Sequence, residues 1–141
     1  ATRLPQVDAL LDICARAYGE GGAWCGSHPE PTAGWTEGTV PPMPREAVIM
    51  GDLNFTPDSP EYERCVGAWT ERYGRLGRRD GFLDAWTAAG HAETDGATIG
   101  NGKRIDYVLV AAWLAQRVRS AFVDDAAAGS DHQPVVVDLD V

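Results

Sequence analysis

Met50-Gly51-Asp52-Leu53-Asn54 places two residues of complementary chemistry at the end of an apolar run. Residues two apart in an extended segment face the same side, so Asp52 and Asn54 are expected to project together just past a buried strand. Asp52 offers a carboxylate that can orient or deprotonate water. Asn54 offers a neutral amide that can donate to a phosphoryl oxygen without repelling it. An Asx-turn closing the strand accounts for the same pair without any chemistry. A second cluster, Arg104-Ile105-Asp106-Tyr107-Val108-Leu109-Val110, sets Asp106 inside an otherwise apolar strand, where a carboxylate is costly unless something pairs with it. A nearby Arg is the structural partner and His132 the catalytic one. His132 lies in the third cluster, Gly129-Ser130-Asp131-His132-Gln133-Pro134, which leads into the last strand. An Asp106–His132 dyad would fix the imidazole tautomer and raise its basicity. Asp131 is a hard oxygen donor suited to Mg2+ or Mn2+ rather than to zinc. Hydrolysing a phosphoester needs an oriented water, a charge clamp on the phosphoryl oxygens and help for the leaving group, and all these residue types are present. Ser130 and His132 do not make a serine-hydrolase pair, because residues two apart in a turn lack the nucleophile–base geometry and no G-x-S-x-G elbow occurs; Ser130 reads as a turn former.

The elements that must position these residues follow from periodicity. From Leu4 to Tyr18, Val7, Leu10, Leu11, Cys14 and Tyr18 recur at helical steps, with Pro5 tolerable in the first turn and Gly19 closing the helix. Residues 19–45 form an irregular Gly/Pro-rich loop carrying Trp24 and Trp35, long enough to be functional or an insertion. Ala47 to Met50 reads as a buried strand. Ser59 caps a helix that starts at Pro60 and is expected to run to about Trp69. Arg72, Arg75, Arg78 and Arg79 occupy a Gly-broken stretch, Phe82 to Ala89 reads as a short helix, and the polar segment after it as loop. Strands are expected at Arg104 to Val110, Val118 to Val123 and Val135 to Val141, the last with Asp138 and Asp140 on its polar face. Strands interleaved with helices indicate mixed α/β packing around a sheet.

Composition bounds the possibilities. A chain of 141 residues is the common size of one domain, and 44% apolar with 23% charged residues is ordinary for a globular fold. No stretch approaches the roughly 18 apolar residues that span a bilayer. A net charge of −9 gives no overall field attracting polyphosphate backbones, so a nucleic-acid site would have to be local. Cys14, Cys25 and Cys65 cannot form a closed disulfide set and contain no C-x-x-C pair, which fits thiols in a reducing compartment. Cys25 and His28 have zinc-like spacing, but no second pair follows. The chain opens Ala1-Thr2-Arg3-Leu4 with neither an initiator Met nor a leader pattern, which reads as a removed segment or a piece of something longer.

GDLN after an apolar strand, then RIDYVLV, then GSDHQPVVV, in that order, is similar to the C-terminal part of the endonuclease/exonuclease/phosphatase family. The resemblance runs from about Ala47 to Val141. It implies an α/β fold, the C-terminal part of a deoxyribonuclease I-like four-layer α-β-β-α sandwich, with residues 1–141 as part of a single domain. It also implies a metal-dependent phosphoester hydrolase, a phosphatase, phosphodiesterase or nuclease. Carried over, Asp52 orients or activates the attacking water and assists the metal, and Asn54 holds the scissile phosphate. Asp106 pairs with His132, which binds the phosphoryl group or shuttles a proton, and Asp131 assists at a Mg2+ (or Mn2+) site.

The family's upstream Asn, its strand-end metal Glu and its His before the helix are not identifiable here. Glu20, Glu30, Glu37 and Glu46 lie in or beside the irregular stretch, and His28 is loop-bound. The chain alone is therefore expected to be inactive or very weak. A sheet edge or face left open is expected to be covered by a partner fragment, another copy or strand exchange. Rival readings are a non-catalytic module and a calcium-binding one, in which Asp52, Asn54, Thr56, Asp58 and Glu63 take EF-hand spacing although Pro57 stands where Gly is demanded. The clustered arginines with Lys103 and Arg104 read as a solvated basic face ahead of a phosphate-binding one. Trp69, Trp86 and Trp113 read as core, and Trp24 and Trp35 as a substrate wall or lid. The charge favours a small or lipid-type phosphoester over long DNA. The thiols favour the cytoplasm, and secretion stays open because any leader would precede Ala1.

Overall fold

Alternation along one strand organises the molecule. The computed structural model describes residues 3–20, 30 and 43–140. Its elements are α1 (Arg3–Glu20), β1 (Val48–Asp52), α2 (Pro60–Val66), β2 (Ala68–Thr70), β3 (Gly74–Leu76), β4 (Phe82–Asp84), α3 (Ala85–Ala88), β5 (Asp106–Ala111), β6 (Val118–Val123) and β7 (Val135–Leu139). A 3-10 turn at Ala115–Arg117 precedes β6. β5 is the centre of a three-stranded antiparallel sheet ordered β1-β5-β4. Because side chains alternate, Tyr107 and Leu109 face α1 and α2 in a core with Val7, Phe55, Tyr62, Cys65, Val66 and Phe82. Val108 and Val110 face the other way, onto Ala85, Leu114 and Val137. The second face carries the antiparallel β6-β7 pair. Helices, a mixed-length sheet and a second sheet thus stack in layers, the α+β arrangement that the element order predicts.

Register places the polar residues. Asp52 and Asp106 are directly opposed across β1 and β5. Ile49 and Leu53 pack toward the helices, so Asp52 points to the β6-β7 side, the same side as Asp106. β1 is an edge strand of its sheet, and on this same face Met50 is 71% exposed.

Several expectations need correction. α1 does not close at Gly19 but continues through Glu20. α2 stops at Val66 rather than near Trp69, because Gly67 turns the chain at φ 111°, its N–H bonding back to Glu63. A Cβ at Gly67 would sit 2.0 Å from the Leu76 carbonyl oxygen, so the close approach of β3 requires glycine there. Ala68–Thr70 then pairs with Gly74–Leu76, making a hairpin of what reads as helix end and loop. The expected helix at Phe82 to Ala89 is a strand, Phe82–Asp84, followed by one helical turn from Ala85. Asp84 explains the switch: its carboxylate accepts from the Trp86 N–H, capping the helix and stopping extension at one stroke.

The tryptophans also divide. Trp86 is buried, but Trp69 and Trp113 are exposed, contrary to the core reading. Of the basic face, Arg72, Arg78, Arg79 and Lys103 are exposed as expected, but Arg104 is buried on Asp84 and Arg75 is paired with Glu93. Trp24, Trp35, Cys25, His28 and Glu37 lie outside the described residues. No helix among the described residues is long and apolar enough to cross a membrane.

Candidate functional site

The strand ends described above converge on His132. Its Nδ1 lies 3.0 Å from Asp106 Oδ2 and 3.2 Å from Oδ1. Nδ1–H donated to this carboxylate leaves Nε2 of the neutral ring as the acceptor nitrogen. The ring is held by its backbone as well. The His132 N–H donates to Ser130 Oγ at 3.0 Å, which gives Ser130 the turn-forming role. Ile99 and His132 make an antiparallel bridge, and Gln133 N–H donates to the Thr98 carbonyl.

Thr98 is the positioning residue that motif reading misses. It is fully buried, and its Oγ1 accepts from the N–H of Ile105 (3.1 Å) and of Asp106 (3.3 Å). One side chain thereby fixes the start of β5 while its own carbonyl fixes the turn bearing His132. The signal was slight, a single Thr in a polar, aperiodic stretch.

Asp52 and Asn54 interlock. Asp52 Oδ1 accepts from the Asn54 backbone N–H and Oδ2 from the Asn54 side-chain amide, both at 2.8 Å. Asn54 adopts φ 56°, a left-handed conformation that Asn tolerates better than most residues. The Asx-turn expected of this pair is therefore formed. One amide hydrogen of Asn54 is used on Asp52 and the other is available to a ligand. Both residues are exposed, as is Asp131.

Electrostatics bind the group together. The hydrogen bond that His132 makes to the Asp106 carboxylate holds the His132 pKa above its ordinary 6.5; burial opposes it as the next largest effect, and the charges of Asp106, Asp131 and Asp52 add further upward pull. A folded pKa above the unfolded one means that protonation stabilises the native state. This contribution is complete below about pH 6.5 and is lost as pH rises through the folded pKa. An NMR titration of the His132 imidazole should accordingly show a midpoint above 6.5 that falls on Asp106→Asn substitution. A midpoint at or below 6.5 in the unaltered chain would contradict the dyad.

The surroundings of His132 are acidic, but the described residues do not make a metal site by themselves. No group of three or more His, Cys, Asp or Glu among them is placed to hold an ion. Both Asp52 oxygens are already engaged by Asn54. The same absence of a gathered donor set applies to the EF-hand-like spacing from Asp52 to Glu63, where Asp58 is instead taken up by the Thr56 hydroxyl.

Sheet-end carboxylates and an Asp106–His132 pair thus stand on a layered α+β fold. The family model described as "Endonuclease/Exonuclease/phosphatase family" matches residues 17–132, and the chain belongs to that family. Its members share a deoxyribonuclease I-like α/β sandwich, are typically hydrolases and commonly use a divalent metal. No curated protein and no solved structure matches the chain.

Proposed function

We propose that this chain carries the water-orienting, phosphate-holding and acid–base residues of a metal-dependent phosphoester hydrolase. The observation that carries this reading is the Asp106–His132 hydrogen bond beside the interlocked Asp52–Asn54 pair, at adjoining strand ends of a family domain. In this reading the scissile phosphate lies between the free amide hydrogen of Asn54 and Nε2 of His132. The protonated imidazole, stabilised by Asp106, offsets charge on the phosphoryl oxygens or passes its proton onward. Asp52 keeps lone pairs beyond those used on Asn54 and orients the attacking water. Mg2+ or Mn2+ is the proposed cofactor, with Asp131 and Asp52 as nearby hard donors and the rest of its ligands drawn from outside the described residues.

This reading makes the 141-residue chain competent to bind phosphate yet feeble in turnover. Titration with inorganic phosphate, followed by NMR, should shift the resonances of His132 and the Asn54 side-chain amide, and His132→Ala should abolish the response. Unmoved His132 and Asn54 signals at saturating phosphate would overturn the site. Robust Mg2+-dependent hydrolysis of bis(p-nitrophenyl) phosphate by the chain alone would overturn the incomplete metal site and leave the rest standing.

A further inference from the structure

A cavity of about 310 Å³ opens between the β2–β3 hairpin, α2 and the stretch from β4 through α3 to Glu93. None of Asp52, Asn54, Asp106, Asp131 and His132 lines it. Tyr62, Val66 and Leu83 supply an apolar floor. Trp69 and Arg75 are directly opposed across the hairpin, so both project from its cavity side. Trp69 lines this space yet is 58% exposed, which leaves much of its ring available for stacking. A volume within the range of about 300–1,000 Å³, apolar walls and a few placed polar groups are the make-up of small-molecule sites.

The polar groups of the wall have spent their donors and kept their acceptors. Arg75 donates Nε–H and one Nη2–H to the two oxygens of Glu93, one Nη1–H to the Gly67 carbonyl and the other Nη2–H to the Pro57 carbonyl. Each Glu93 oxygen accepts one of these bonds and retains a lone pair. The Thr87 hydroxyl donates to the Asp84 carbonyl, which leaves its oxygen as an acceptor. His91 is fixed by stacking on Trp86 at 4.1 Å and by Nε2–H donated to the Ala121 carbonyl at 2.8 Å, so Nδ1 is the acceptor nitrogen of its neutral ring. Both carboxylates of the lining already meet a guanidinium, Glu93 that of Arg75 and Asp84 that of Arg104. An anionic ligand would find no uncommitted cation in this wall. A ligand with N–H donors would find acceptors on Glu93, Thr87 and His91.

We propose that this cavity is a binding site for a planar aromatic ring carrying N–H donors, the chemistry shared by aryl amidinium ions and amino-substituted heterocycles. The ring stacks on Trp69 above the apolar floor, and its N–H groups are taken up by the acceptors of Glu93, Thr87 and His91. The site is independent of the reading of His132 and stands or falls apart from it.

Benzamidine, 9-methyladenine and caffeine are titrated into the 141-residue chain and followed by amide and indole NMR. All three are planar, and caffeine alone has no N–H donor. Benzamidine and 9-methyladenine should bind about tenfold more tightly than caffeine, the gain of one or two sheltered hydrogen bonds. They should shift the Trp69 indole and the Thr87 and His91 amides while leaving His132 unmoved. Trp69→Ala should weaken both by about tenfold, the usual worth of one stacking ring, and Trp69→Phe should retain most of the affinity. A gain over caffeine for benzamidine alone would keep the site and assign it to a cationic ring; a gain for 9-methyladenine alone would assign it to a neutral one. Caffeine binding as tightly as both, undiminished binding by Trp69→Ala, no binding by any of the three, or shifts centred on His132 would overturn the inference. The shift map of the unaltered chain decides the location whether or not the alanine variant folds.

Discussion

Asp84→Asn is expected to destabilise the chain by about 3–5 kcal/mol, the cost of leaving a buried charge without its partner. The Arg104 and Asp84 side chains are 2% and 1% exposed, with Nη1 and Oδ2 2.6 Å apart. The same Oδ2 accepts from the Tyr62 hydroxyl at 2.9 Å, and Oδ1 caps α3 through the Trp86 N–H. Arg104 is further tied to the Glu93 carbonyl and surrounded by the rings of Tyr107, Tyr62 and Trp86. Burial, reinforced by the charge of Asp84, pushes the Tyr62 hydroxyl far above its ordinary pKa, so it remains a donor throughout the accessible pH range. Since domains are stable by only about 5–15 kcal/mol, this one substitution would consume a large share of the total. Urea denaturation of the single variants and of Asp84→Asn/Arg104→Met measures the coupling. Removing both charges should recover much of the loss, because a buried pair and an apolar replacement are often close in stability. A single-variant loss below about 1 kcal/mol would show that water reaches the pair and relieves it.

In any form of the protein that turns over a phosphoester, His132→Ala should lower kcat by about 10²–10⁴-fold, the usual range for a positioned acid–base group. Asp106→Asn should act in the same direction by a smaller factor, because the imidazole remains while its tautomer and charge lose support. Residues working as one unit are not additive, so the double variant should be scarcely slower than His132→Ala alone. In the Asp106→Asn enzyme the fall in activity as pH rises should also set in at lower pH, in step with the lowered His132 titration, which a purely structural defect would not produce. Equal kcat in the unaltered and His132→Ala proteins would remove the imidazole from the chemistry.

Much of this arrangement was legible because its signals are local. The strands at Val118–Val123 and Val135–Leu139, the N-cap at Ser59 and the Pro60 helix start all follow from neighbouring residues alone. So does the pairing of motifs, since each chemical residue sits beside an apolar run whose period fixes its direction. What escaped depends on contacts far along the chain. Phe82–Asp84 is a strand because Ala111, Val110 and Leu109 of β5 pair with it, overriding a composition compatible with helix. Ala68–Thr70 leaves the helix because β3 requires a partner. Arg104 looks like a surface cation until Asp84, a strand away, draws it inside. Thr98 has no periodic or motif context, and only the three-dimensional path of the 90–103 segment reveals its role.

That role has a consequence for how the protein can diversify. Thr98 links the base of Asp106 to the turn of His132 from a loop that itself carries none of the proposed chemistry. Small changes in that loop's length or packing would tilt the imidazole against its carboxylate and retune proton affinity without altering a reacting group. Drift in an inconspicuous stretch of sequence could thus adjust the working pH of the site while its signature residues stay the same.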